Sequence, residues 1–172
     1  ETMLEAFEAN IKITKKESKK YIKIAGQKEL KSKNIDVPND LSSSAFFIVS
    51  ALINSNSKII LKNINNNPTR NGLLLALKKM GANISFKNQR KTNNENICDI
   101  EVSSSNLNGC ELSPEIADLM IDEFPILAVA ASFASSPSVF RGLKELRVKE
   151  SDRLKLISSN LQNCGVRCDI RN

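Results

Sequence analysis

Residues 77–84, Leu-Lys-Lys-Met-Gly-Ala-Asn-Ile, and residues 161–168, Leu-Gln-Asn-Cys-Gly-Val-Arg-Cys, superpose at a shift of 84 residues; in each, a helical pattern stops at a glycine before a strand-like segment. Glycine just past the last periodic residue is the usual helix stop, because it adopts a left-handed backbone without steric cost. Upstream of the first copy, Leu41 to Asn54 reads as an apolar helix with a Ser-rich entry and Lys58 to Ile64 alternates as a strand. Pro68 then marks a turn, Asn71 to Met80 gives a second helix ended by Gly81, and Asn83 to Phe86 a strand. A second pass opens near Asp122: an apolar helix to Ala134, a strand from Ser138 to Leu143, a helix from Ser151 to Cys164 ended by Gly165, and a strand from Val166 to Ile170. An offset this long implies duplicated domains or subdomains, not a short-period solenoid. The first helix of each pass is apolar nearly all round and the second is one-sided, which predicts an α/β (α+β) fold with sheets packed around buried helices. Between the passes, Ile97 to Val102 reads as a further strand and Asn88 to Asn96 as a polar loop.

Residues 1–35 follow another pattern. The opening Glu-Thr-Met-Leu-Glu-Ala-Phe reads as the end of a helix without an initiator Met or capping signal, and Asn10 to Thr14 and Tyr21 to Ala25 alternate as strands. The expected division is residues 1–35 as the tail of a preceding lobe and 36–172 as part of a second lobe, with units at about 36–105 and 106–172 and the boundary marked by Pro38 and Asn39. The chain reads as an excised piece.

Composition excludes several kinds of chemistry. The chain has 41% hydrophobic and 26% charged residues, ordinary for a globular protein. Histidine is absent, which removes Ser-His-Asp, Cys-His and His-metal chemistry and leaves proton transfer to carboxylates, lysines or water. The net charge of +6 admits anionic substrates, but the lysines are scattered and aromatic residues make up only 5%, so nucleic acid is not the expected partner. The apolar run from Pro125 to Ala134 is too short to span a bilayer. Cys98, Cys110, Cys164 and Cys168 form no C-x-x-C pair, so no metal site is expected; they read as reduced thiols, mostly buried, in a cytoplasmic protein.

Residues 147–154, Arg-Val-Lys-Glu-Ser-Asp-Arg-Leu, carry the densest chemistry. Helical spacing would place Lys149 and Arg153 on one face, with Glu150 three residues before Arg153, so that two cations and an acid converge on one ligand. A phosphorylated substrate suits that face, and Ser151 or Asp152 would cap the helix at its anion-attracting end. The same residues also read as a solvated charge run with internal Glu-to-Arg pairing.

Four segments, Ile35-Asp-Val-Pro-Asn-Asp-Leu-Ser-Ser-Ser-Ala-Phe, Asn67-Pro-Thr-Arg, Met120-Ile-Asp-Glu-Phe-Pro125 and the 147–154 run, resemble in order and spacing the bacterial, glyphosate-insensitive-type subclass of 5-enolpyruvylshikimate-3-phosphate synthases. The resemblance covers the whole chain but only the middle and later part of that enzyme. It implies a fold of repeated β-α-β-α-β-β units, of which this chain would hold about two plus the tail of a preceding one. It also implies transfer of the enolpyruvyl group of phosphoenolpyruvate to the 5-hydroxyl of shikimate-3-phosphate, in the route to aromatic amino acids, with no metal or organic cofactor. By position in the motifs, Asp122 resembles the aspartate that contacts the shikimate hydroxyl as candidate base. Lys149 resembles the lysine on shikimate-3-phosphate, Glu150 the acid that exchanges protons with the enolpyruvyl methylene, and Arg153 an arginine holding phosphoenolpyruvate. Asp122 also reads as an N-cap of the apolar helix that follows it. Asp40 and Ser42 to Ser44 read as a helix cap and Asn67 to Arg70 as a turn and helix entry. Asn39 stands where the family usually has Gly, and asparagine's tolerance of a left-handed backbone is expected to preserve the turn.

The first lobe's binding motifs and the last unit of the second are not in the sequence, so the chain alone is expected to be inactive. Two rivals remain: an enolpyruvyl transferase acting on UDP-N-acetylglucosamine, against which the 147–154 signature speaks, and a basic non-catalytic module binding RNA or protein.

Overall fold

Gly81 and Gly165 sit at φ +88° and +81° in the computed structural model, which describes residues 2–17 and 19–171. Around Gly81, its own N–H reaches Lys78 O and Ala82 N–H reaches Leu77 O, both at 3.0 Å; around Gly165, its own N–H reaches Gln162 O at 2.9 Å and Val166 N–H reaches Leu161 O at 3.0 Å. The two helices therefore end in the same bonded motif at the same sequence offset, which satisfies carbonyls that a bare helix end leaves open.

In chain order, helix α1 (Thr2–Ala6) precedes an antiparallel hairpin of β1 (Asn10–Lys16) and β2 (Lys19–Ala25). Its register sets Ile11 against Ile24 and Ile13 against Ile22, with Lys12 against Lys23 on the other face. The first full unit is α2 (Leu41–Ile53), β3 (Lys58–Asn65), α3 (Gly72–Lys79), β4 (Asn83–Thr92) and β5 (Glu95–Ser103). The second comprises β6 (Glu111–Leu112), α4 (Pro114–Ala117), a 3-10 turn Ile121–Glu123, α5 (Phe124–Ser132), β7 (Val139–Phe140), a 3-10 turn Leu143–Arg147 and α6 (Arg153–Asn163).

Asp40 starts α2 by accepting the Ser43 N–H at 2.7 Å and the Ser43 hydroxyl at 2.8 Å. The inward face of α2, with Ala45, Ile48, Val49 and Leu52, joins Leu73, Leu74 and Leu77 of α3 over the sheet β3-β5-β4. β5 is the middle strand: its Ile100 and Val102 face the core between Leu61 and Ile59 on one side and Phe86 and Ile84 on the other. Burying Ile48, Leu52, Leu73 and Leu77 almost completely contributes about 1.5–3 kcal/mol each. Parallel strands β6 and β7 join the second unit, and Phe124 meets Phe140 edge to face at 5.8 Å between ring centres. Among the described residues no helix is long and apolar enough to cross a membrane.

The fold departs from the sequence expectation in places. Residues 88–96 are not a loop: β4 continues to Thr92 and β5 begins at Glu95, joined by Asn93 and Asn94 at φ +50° and +66°. Two left-handed asparagines make the turn that matches strand twist, so polar composition hides a hairpin. The strand expected at Ser138 to Leu143 is only two residues long, and residues 166–170 form no strand, since a strand needs a neighbour to take its backbone bonds. The first helices of the two units are not buried all round: Phe46 and Phe47 of α2 and Phe133, just past α5, are exposed. Of the cysteines, Cys98 and Cys110 are buried, Cys168 is half-buried and Cys164 is exposed. Asn39 is not left-handed; it bridges to Ile64, donates its N–H to Asn63 O at 2.8 Å and its side-chain amide to Lys62 O at 2.8 Å.

The sheet has a polar clasp. β3 bulges opposite Asp99 of β5 and β4 bulges just past its Lys87–Asp99 pair, with Asn63 and Asn88 left-handed at the bulges. The nearly buried Asp99 carboxylate accepts the Asn63 N–H at 2.9 Å and the Asn88 amide at 2.8 Å, and these bonds hold its pKa below the ordinary carboxylate value. A lowered folded-state pKa contributes stability above the unfolded value, near pH 4, and loses it as pH falls through the folded value. Asp99→Asn should therefore melt several degrees lower at pH 7, with the difference from wild type shrinking under acid. Coincident melting curves at pH 7 would show that the clasp is idle.

Candidate active site

Asp122 lies on the 3-10 turn Ile121–Glu123 and does not cap α5: the residue at the cap position is Glu123, whose side chain makes no capping bond. The turn is set from behind by α3. Gly72 donates its N–H to Leu119 O at 3.3 Å, and a Cβ at Gly72 would stand 2.9 Å from Ile116 O and from the Met120 side chain. Only glycine lets the two segments approach this closely.

Asp152 caps α6 by accepting the Lys155 N–H at 3.0 Å, and its other oxygen meets Arg147 Nη1 at 3.3 Å. Arg153, the first residue of α6, grips Glu150 with two parallel bonds: Nε to Oε1 at 2.8 Å and Nη2 to Oε2 at 2.9 Å. Its remaining nitrogen, Nη1, donates to Asp122 Oδ1 at 3.0 Å. A guanidinium is suited to this because its fork of donors is planar and fixed. Lys149 lies in the bend 148–151 ahead of the helix, not on the helical face that its spacing with Arg153 suggested. Its Nζ meets Glu145 Oε1 at 2.9 Å.

The charges perturb one another. Paired with Arg153, Glu150 has its pKa lowered, and the hydrogen bonds that Arg153 donates to Glu150 raise its own, with the bond to Asp122 adding to the effect. The Lys149 ammonium is stabilised first by the Glu145 hydrogen bond and further by the charges of Glu145 and Asp122, which outweigh partial desolvation and the nearby Arg153. The structure thus brings Asp122, Glu150 and Arg153 into one hydrogen-bonded group with Lys149 alongside. It also shows the internal Glu-to-Arg pairing of a charge run. Each cation already holds a carboxylate, so an anionic ligand must compete for it.

Three partners escaped the sequence reading. Glu145 lies four residues before Lys149, a spacing that was available. Glu123 is buried, and the Ser42 hydroxyl, assigned to capping, donates to it instead. Arg70, read as part of a turn, donates from Nη2 to Ser42 Oγ at 3.0 Å. The Asn67 side chain does make the expected turn, accepting from Thr69 N at 3.0 Å. No three potential metal ligands cluster among the described residues.

Comparison with known proteins bears on the family to which the chain belongs. The family described as EPSP synthase (3-phosphoshikimate 1-carboxyvinyltransferase) matches residues 1–172. The 3-phosphoshikimate 1-carboxyvinyltransferases of Cereibacter sphaeroides and Pseudomonas sp. (strain PG2982) are 44% and 46% identical over 169 residues, which is 98% of this chain and 38% of each relative. Two solved structures of Acinetobacter baumannii EPSP synthase align with TM-scores of 0.86 and 0.89 at 40% and 36% identity. They are covered over 36% and 37% of their length, while 94% and 99% of this chain is used. The chain therefore spans little more than a third of the proteins it matches, and it belongs to the EPSP synthase family.

Proposed function

We propose that this segment supplies one wall of a site that joins phosphoenolpyruvate to shikimate-3-phosphate, forming the enolpyruvyl ether at the 5-hydroxyl and releasing phosphate. The observation that carries the reading is Arg153, whose guanidinium holds Glu150 and Asp122 together beside Lys149. In this reading residues 1–35 end one lobe and 36–172 form part of the other, and the protein works in the cytoplasm on small anionic substrates without metal, organic cofactor or nucleic acid.

The chemistry requires protons to move at the hydroxyl oxygen and at C3. As the 5-hydroxyl oxygen bonds to C2 of phosphoenolpyruvate, its proton passes to Asp122 and C3 gains a proton from Glu150, protonated on substrate binding; elimination then returns a C3 proton to Glu150 and breaks the C2–O bond to phosphate, which leaves with the proton held by Asp122. Arg153 and Lys149 serve as clamps for the phosphoenolpyruvate and shikimate-3-phosphate anions respectively. Two separate clamps predict two separable defects. The protein for the test is a full-length chimera in which this segment replaces the matching 38% of the Cereibacter sphaeroides relative. Lys149→Ala should raise KM for shikimate-3-phosphate roughly tenfold or more, and Arg153→Ala should do so for phosphoenolpyruvate. Wild-type KM values for both substrates in both variants would refute the clamp assignment.

A further inference from the structure

The 3-10 turn that carries Asp122 bears a second carboxylate, Glu123, and the two are placed in opposite environments. Asp122 is exposed and reaches Arg153; Glu123 is only 5% exposed. Burying a carboxylate is costly unless a donor meets it. The donor here is the Ser42 hydroxyl, whose oxygen in turn accepts Arg70 Nη2 at 3.0 Å. Ser42 stands in the first turn of α2, where a hydroxyl would ordinarily serve the helix start, but Asp40 bonds Ser43 and the Ser44 hydroxyl turns to Asp40 O at 2.7 Å. Ser42 therefore reaches across to a residue 81 positions further along the chain. Two residues after Arg70, Gly72 meets the other side of the same segment through its bond to Leu119 O.

We propose that Glu123, through Ser42 and Arg70, is a positioning residue for Asp122. A 3-10 turn has three residues per revolution, so neighbouring side chains are rigidly offset and fixing one fixes the direction of the next. Anchoring Glu123 inward holds Asp122 outward on Arg153, where the proposed function places the arriving hydroxyl. A displacement of about 1 Å in such a group costs on the order of a hundredfold in rate. The proposal rests on that reading of Asp122, so its test needs a second readout.

In the full-length chimera, Glu123→Ala and Ser42→Ala should lower kcat about tenfold or more while both KM values stay within about twofold. Glu123→Gln keeps an acceptor for Ser42 and should recover most of the rate. The Arg153 side-chain N–H resonances should shift in the two alanine variants toward those of Asp122→Asn, at temperatures where melting curves show the protein folded. Wild-type kcat with unshifted Arg153 signals would overturn the proposal. So would a rate loss that follows the unfolded fraction while Arg153 in folded molecules is unchanged. If the unmutated chimera has no turnover and the Arg153 signals still shift, the positioning role stands and the functional reading falls; no turnover with no shift overturns the positioning role as well.

Discussion

Glu150→Gln in the full-length chimera should lower kcat by about a hundredfold or more, with KM for phosphoenolpyruvate changed far less. At rest, the two Arg153 bonds keep Glu150 ionised, because they favour the charged carboxylate. It begins as a proton acceptor. An anionic substrate that takes the Arg153 guanidinium removes this stabilisation, so Glu150 takes up a proton from solvent as the substrate binds and then serves as the acid that C3 requires. Glutamine preserves size and can still accept one arginine bond, but it cannot carry a proton. The loss should therefore appear in kcat. A rate within about threefold of wild type would remove Glu150 from proton transfer.

The 172-residue chain by itself should release no phosphate from the two substrates. Its site is an open surface: the side chains of Glu150 and Asp122 are 67% and 52% exposed. Among the described residues, Arg153 and Lys149 are paired here with the three carboxylates Asp122, Glu145 and Glu150, so a polyanion meets no surplus of positive charge in that group. Holding two substrates in contact supplies much of an enzyme's rate, and one wall cannot do so. Turnover above roughly one per second, the low end for enzymes, would contradict this.

What the sequence revealed was local. Gly81 and Gly165 stop their helices because only the backbone conformation at one residue is at stake, and Asp40 and Asp152 cap theirs with bonds three residues long. The Asn93-Asn94 hairpin was hidden because asparagine signals loop by composition and tight turn by conformation, and only strand pairing decides between them. The pairing of Glu150 with Arg153 was legible at three residues' separation; Asp122 and Arg153, 31 residues apart, were each singled out by the family motif, but their contact left no trace in the spacing. Lys149 was placed on a helix that starts four residues later, because a bend and a helical turn share the same short spacing. Ser42 to Glu123 left no local trace: its partners meet only through the packing of α2 against the segment around Asp122.

The central claim, that this segment holds the proton-transfer and clamp half of a synthase site, is tested most directly by phosphate release from phosphoenolpyruvate in the full-length chimera. Release should require shikimate-3-phosphate and fall by more than about a hundredfold in the Asp122→Asn, Glu150→Gln double variant. Equal release by the folded double variant, or none from a folded unmutated chimera, would contradict it.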